Sequence, residues 1–201
     1  SGEFTKFSLE EKKQFFKFYK EYIKDEAELF AGTGCMDYEE TVELTNYVHD
    51  LGYSGSYIIT PFYFGITQEE IFHYYNRLAK RVLGDIYIYN FPARTGANIS
   101  LETLEKLIEN NDNIKGIKDS VQEPRHTTNI ALELGKNIEV YSGFDDQYLI
   151  NLISSGSGCI GALSNIVPDI WTDLVNSINN KNYEKSLKLS KLISKLMELY
   201  E

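Results

Sequence analysis

Short apolar runs alternate along the chain with longer stretches in which apolar side chains recur every three or four positions. The first pattern predicts buried strands and the second amphipathic helices. Ser8-Leu9-Glu10-Glu11 has the form of a capping box and opens a helix turning Leu9, Phe15, Phe16, Tyr19 and Ile23 to the core. A strand at Glu28–Ala31 ends in the turn Gly32-Thr33-Gly34. Asp37 caps a helix whose face is Val42, Leu44, Val48 and Leu51, and Gly52 stops it. Tyr57–Thr60 is a strand ending at Pro61-Phe62-Tyr63, and Thr67 with Glu70 opens a third capped helix. Ile86–Tyr89 is a strand ending at Asn90-Phe91-Pro92, and Ser100 caps the helix that follows.

The next apolar run, Ile114–Ile117, stops at Lys118, and a helix from about Arg125 ends at Gly135. Ile138–Tyr141 is a strand running into Ser142-Gly143-Phe144-Asp145, with Asp145 or Asp146 as the cap of another helix. Gly158–Ala162 is the last strand, and two helices start near Pro168 and Asn182. Six strands alternating with helices through short connections predict parallel β/α units. Their period of roughly 25 to 30 residues is that of an α/β fold of the TIM (β/α)8 barrel type. Six strands are fewer than the barrel needs, so the expectation is a single partial barrel domain over residues 1–201, truncated at the N-terminus. A C-terminal helical extension begins at about residue 168. An open doubly-wound sheet is the alternative, although no Gly-rich phosphate fingerprint follows any strand.

Composition narrows the function. A net charge of −10 argues against a nucleic-acid surface. No apolar run reaches the roughly 18 to 20 residues that span a membrane. Two cysteines make no disulfide framework and suit a reducing cytoplasm. Cys35, Cys159, His49, His73 and His126 have no metal-ligand spacing, so neither a metal nor a cofactor is expected, and His126 reads as a solvent-facing or capping residue.

In a parallel barrel the active site lies at the C-terminal ends of the strands. Here those ends carry Thr33, Tyr63, Tyr89, Lys118, Asp145 and Ser164. A lysine at a buried strand end is costly, because desolvation disfavours the ammonium. The same desolvation leaves a free amine able to attack a ketone. An ordinary lysine leaving the sheet for solvent, as Lys115 does, is the plain alternative. A phenol such as Tyr89, expected on the neighbouring strand, could shuttle the protons that imine formation requires.

These residues sit in recognisable surroundings: Ser1-Gly2-Glu3, Ala31-Gly32-Thr33-Gly34, Thr60-Pro61-Phe62-Tyr63 and Tyr89-Asn90-Phe91-Pro92-Ala93-Arg94-Thr95-Gly96. Gly116-Ile117-Lys118-Asp119, Ser142-Gly143-Phe144-Asp145-Asp146 and Gly158-Cys159-Ile160-Gly161 follow in order. In these motifs the chain resembles the pyruvate-dependent class I (Schiff-base) aldolases: dihydrodipicolinate synthase, N-acetylneuraminate lyase and 2-keto-3-deoxygluconate aldolase. The resemblance implies that Lys118 forms an imine with pyruvate or another 2-keto acid, and that Tyr89 is the acid/base. It implies substrate contacts from Arg94, Tyr63, Ser120, Gly143, Asp145, Asp146, Ile160 and Ser164. It also implies a homotetramer, a dimer of dimers, with Tyr63 near the tighter interface.

The family's hydroxyl-bearing loop is represented only by its tail, Ser1-Gly2-Glu3, so the 201-residue chain alone is expected to be inactive. Asp119-Ser120, Phe144 and Leu163-Ser164-Asn165 resemble the sugar-acid members of the family, which implies an aldolase that splits a 2-keto-3-deoxy sugar acid into pyruvate and an aldehyde. Arg94 leaves open dihydrodipicolinate synthase, which condenses pyruvate with aspartate semialdehyde, and neuraminate lyase is a third reading. The non-enzyme alternatives are a keto-acid-binding protein and a structural remnant of the barrel. Retention of Tyr89 beside Lys118 argues against both.

Overall fold

The computed structural model describes residues 2–24 and 26–200, Tyr200 by its backbone alone. Ser1, which opens the Ser1-Gly2-Glu3 motif, lies outside the described residues. The chain gathers into two compact units, residues 1–117 and 118–201.

In the first unit α1 (Leu9–Ile23) precedes β1 (Phe30–Gly32), α2 (Tyr38–Asp50), β2 (Gly55–Ile59), α3 (Gln68–Ala79) and β3 (Ile86–Asn90). The short α4 (Pro92–Thr95) and α5 (Leu101–Asn110) then lead into β4 (Ile114–Asp119), which runs on into the second unit. Parallel pairing sets Ala31 beside Ser56 and Ile58 beside Ile88. The strands follow chain order, β1-β2-β3-β4, where a doubly-wound sheet would reverse. Ile58, Ile86, Ile88 and Ile117 are fully buried together with Leu44, Leu78 and Leu104 from the helices. Strands covered on both faces read as continuous apolar runs, which is why periodicity found them.

The caps form as the sequence predicts. The Ser8 and Thr67 side chains accept from Glu11 N and Glu70 N, and both capping boxes close reciprocally. Asp37 and Ser100 accept from Glu40 N and Thr103 N. The inward face of α1 differs from the expected one. Its half-buried residues are Leu9, Lys12, Lys13, Phe16, Lys20 and Ile23. Phe15 and Tyr19 turn outward and pack on each other at 4.7 Å between ring centroids. Lysine stems cover apolar surface while their amines reach polar partners, so they occupy positions that residue type assigns to phenylalanine and tyrosine.

The second unit begins with the last residues of β4 and continues through α6 (Pro124–Leu134), β5 (Glu139–Ser142), α7 (Tyr148–Ile153) and β6 (Gly158–Cys159). It ends in α8 (Pro168–Asn179) and α9 (Tyr183–Leu196), the two helices expected after the last strand. Pro168 occupies the first turn of α8, and Asn182 caps α9. Tyr148, Leu163, Trp171, Leu174 and Ile193 form the core here. Two expectations are corrected. Neither Asp145 nor Asp146 caps a helix: both lie in a 3-10 turn, Asp145–Gln147, and no side chain caps α7. The last strand stops at Cys159 instead of Ala162. Ile160 N still reaches Ser142 O, but Ala162 N and Leu163 N donate to the Asp145 carboxylate, which bends the chain out of the sheet.

Candidate active site

In the second unit Lys118 sits one residue from the end of β4, half-buried. Burial pushes its amine below the ordinary lysine range, while Cys159 and Asp145 nearby pull the other way. Burial is the larger influence, and the two neighbours oppose it unequally. Burial lifts the Cys159 thiol to about 12, against a hydrogen bond from Ser142, so it stays neutral. Asp145 is 1% exposed, and its carboxylate accepts from Ala162 N at 3.0 Å and Leu163 N at 3.1 Å. A Cβ on Gly161 would lie 2.2 Å from that carboxyl group, so only glycine permits the approach. This arrangement favours a lysine able to give up its proton and act as a nucleophile.

The remaining predicted residues of this unit fall into two groups. Ser120 is buried against Gly143, where a Cβ would come 1.8 Å from its Oγ, and Gly143 N donates to Asp119 O at 2.8 Å. Ile160 is half-buried beside Ser142. Asp146 and Ser164 are exposed.

In the first unit Tyr89, near the end of β3, is half-buried and stacks on Phe91 at 5.9 Å. It lines a cavity of about 250 Å³ with Tyr57, Ile59, Gly32, Gly34 and Phe16. Thr60 N donates to the Tyr89 carbonyl. Asn90 is fully buried, donating to Asn98 Oδ1 and accepting from Ile99 N, so it closes the turn that follows Tyr89. Arg94 is exposed on α4. Tyr63 is 80% exposed and holds a φ of 84°, a left-handed conformation that costs a non-glycine residue energy and gathers at functional positions. Thr33 is not displayed at its strand end: it is buried, hydrogen-bonded to Thr45 at 2.8 Å.

Sequence reasoning missed Cys159 beside Lys118 and the latch made by Asn90. It also missed His126, which is hydrogen-bonded to the buried Asp119 rather than turned to solvent. Its place in the first turn of α6, just after a strand-end carboxylate, was the available signal. Among the described residues no three His, Cys, Asp or Glu side chains could share a metal, and no helix is long and apolar enough to cross a membrane.

The sequence model of the dihydrodipicolinate synthetase family matches residues 1–201. A 4-hydroxy-tetrahydrodipicolinate synthase from Hydrogenobaculum sp. is 33% identical over 187 residues, 92% of this chain and 64% of that protein. YagE of Escherichia coli K12, named as a candidate 2-dehydro-3-deoxy-D-gluconate aldolase, is 25% identical over 203 residues, 67% of its length. The chain thus spans about two-thirds of the length of these relatives. The crystal structure of YagE in complex with pyruvate matches 99% of this chain and 68% of its own, with a TM-score of 0.94 at 25% identity. The dihydrodipicolinate synthase of Acinetobacter baumannii complexed with pyruvate matches 98% of this chain and 67% of its own, with a TM-score of 0.90 at 29% identity. Six parallel strands with their helices, matched to these structures, make the fold part of a (β/α)8 barrel.

Proposed function

Because the chain belongs to the dihydrodipicolinate synthetase family, we propose that the full-length protein is a class I aldolase joining or splitting pyruvate and an aldehyde through an imine on Lys118. The observation that carries this reading is the half-buried lysine at the end of β4. Its amine is depressed by burial, and its neighbours are a thiol that stays neutral and a carboxylate bonded to backbone N–H groups. The Lys118 Nζ lone pair attacks the C2 ketone, and the carbinolamine loses water to a protonated imine. That imine accepts the electron pair of the C3–C4 bond as the aldehyde leaves, and the resulting enamine takes up a proton and is hydrolysed to pyruvate. Tyr89 is assigned the proton transfers. The pyruvate complexes of YagE and of the Acinetobacter synthase support a 2-keto acid as substrate.

For the second half of the substrate we favour a 2-keto-3-deoxy sugar acid. Of the polar side chains that could meet its hydroxyls, Ser164 is exposed, while Ser120 and Asp145 are buried. Ser164 is therefore assigned the sugar hydroxyl, and Asp145 the shaping of the turn that carries it. Gly143 and Ile160 would line the same end of the site, with Asp146 at its rim. Arg94 would meet a carboxylate if the partner were aspartate semialdehyde. Tyr63, exposed and conformationally strained, is assigned to the tighter contact of a homotetramer, and the protein to the cytoplasm. Sedimentation of the full-length protein as a monomer at micromolar concentration would remove the assembly proposal.

Borohydride added with pyruvate to the full-length protein should trap a covalent adduct that mass mapping places on Lys118. Lys118→Ala should abolish trapping and turnover, and Tyr89→Phe should slow imine formation by about 10² to 10⁴. An adduct on Lys115, or full turnover in Lys118→Ala, would discard the assignment.

A further inference from the structure

Asp119 follows Lys118 in β4, and successive side chains of a strand point to opposite faces. Asp119 therefore cannot share the space that the Lys118 amine occupies. It is 0% exposed, a carboxylate removed from water, and such a group persists only where donors meet it. Two side chains in the first turn of α6 supply them. Thr127 Oγ1 donates at 2.6 Å and His126 Nδ1 lies at 2.8 Å, both on Oδ2. A carboxylate oxygen accepts, so the Nδ1 of His126 carries the hydrogen. The Asp119 carbonyl accepts from Gly143 N at 2.8 Å, and Gly143 is packed tight against Ser120. Asp119 is thus tied to α6 by its side chain and to Gly143, just past β5, by its backbone, while Ser120 packs on that same glycine.

We infer that Asp119, His126 and Thr127 form a positioning strut that fixes the backbone bearing Lys118, and hence the attack angle of its amine. This rests on the imine reading above. The lysine side chain is long and flexible, and the strand end is what aims its Cα–Cβ bond. A misplacement of about 1 Å can cost on the order of 100-fold in rate while leaving substrate binding nearly intact. Asp119 lies on the opposite face of the strand from Lys118, so loss of the strut should appear in the chemical step and not in pyruvate affinity.

The test uses full-length protein and measures both the borohydride-trapping rate with pyruvate and steady-state cleavage. His126→Ala should lower kcat and the trapping rate by about 10- to 100-fold, with the pyruvate KM changing by less than about twofold. His126→Asn, whose amide can donate near the Nδ1 position, should recover most of the loss. Thr127→Val, close in shape but without the hydroxyl, should fall between them. Should His126→Ala fail to fold, the other two variants decide. Equal loss in His126→Ala and His126→Asn with intact thermal transitions, or a raised KM at unchanged kcat, would overturn the strut. No adduct on Lys118 in the wild-type protein would instead sink the imine reading, and this inference with it.

Discussion

Lys118 costs the fold stability, because its amine is buried. Its folded pKa lies below the ordinary value of 10.5 because burial disfavours the ammonium. Below the folded pKa both folded and unfolded chains hold the proton, and folding bears the whole cost of burying the charge. Between the folded pKa and 10.5 the unfolded chain binds more protons, so stability rises with pH across that window. Lys118→Met keeps the stem and removes the charge. It should therefore be more stable than the parent in urea at pH 7, with the difference shrinking as pH approaches 10. A Met variant no more stable at pH 7 would mean that the amine is better solvated or paired than its burial indicates. On the proposed imine reading, trapping by pyruvate should accelerate as pH rises through the folded pKa, because only the free amine attacks. At this scale the sequence was informative, since a lysine closing an apolar run is conspicuous. Its neighbour Cys159 was not, because nothing local in Gly158-Cys159-Ile160 shows what stands opposite.

Elements were legible where their signals are local. Four helix starts carry their caps within three residues, and the predicted caps are the observed ones. Where an element depends on a distant side chain, the pattern misled. β6 has two residues, too few to hold itself by a ladder, and its place is secured by Asn151 in α7. That buried amide donates to Val140 O and Gly158 O, both at 2.8 Å, bridging β5 and β6. Gly156 must lack a side chain to let it in, since a Cβ there would lie 2.2 Å from Asn151 Oδ1. In the sequence Asn151 is one polar residue inside the apolar run Tyr148-Leu149-Ile150-Asn151-Leu152-Ile153, and its partners cannot be read from it. Asn151→Ala removes both bonds, while Val140 O keeps Ser157 N and Gly158 O keeps the Ser142 hydroxyl, and should destabilise the protein by about 1 to 3 kcal/mol in chemical denaturation, the ordinary worth of two hydrogen bonds. A loss below about 0.5 kcal/mol, the size of a neutral surface change, would show that water or backbone replaces the amide. The face of α1 failed for a different reason: lysine stems occupy its half-buried side, and residue type alone places lysine outside.

For the molecule as a whole, the alternation of strands and helices pointed to the barrel with a doubly-wound sheet as the alternative, and the chain order of the strands is what separates the two. What the alternation does not carry is the aldehyde of the proposed reaction, which would be chosen by a few side chains at strand ends. A net charge of −10 does not help, since both candidate routes use anionic 2-keto acids. The two readings call on different residues: exposed Ser164 for a chain of sugar hydroxyls, and exposed Arg94 for a second carboxylate. The discriminating assay gives full-length protein pyruvate with either glyceraldehyde or aspartate semialdehyde and compares kcat/KM. Glyceraldehyde should be preferred by at least about tenfold, the value of one or two well-made hydrogen bonds. Ser164→Ala should erode that preference, and Arg94→Ala should leave it standing. Neuraminate cleavage measured alongside should be slow. A preference for aspartate semialdehyde that disappears in Arg94→Ala would assign the protein to the synthases. The imine on Lys118 would survive that result, because both reactions begin with the same attack on the pyruvate ketone, and only the partner of the enamine would change.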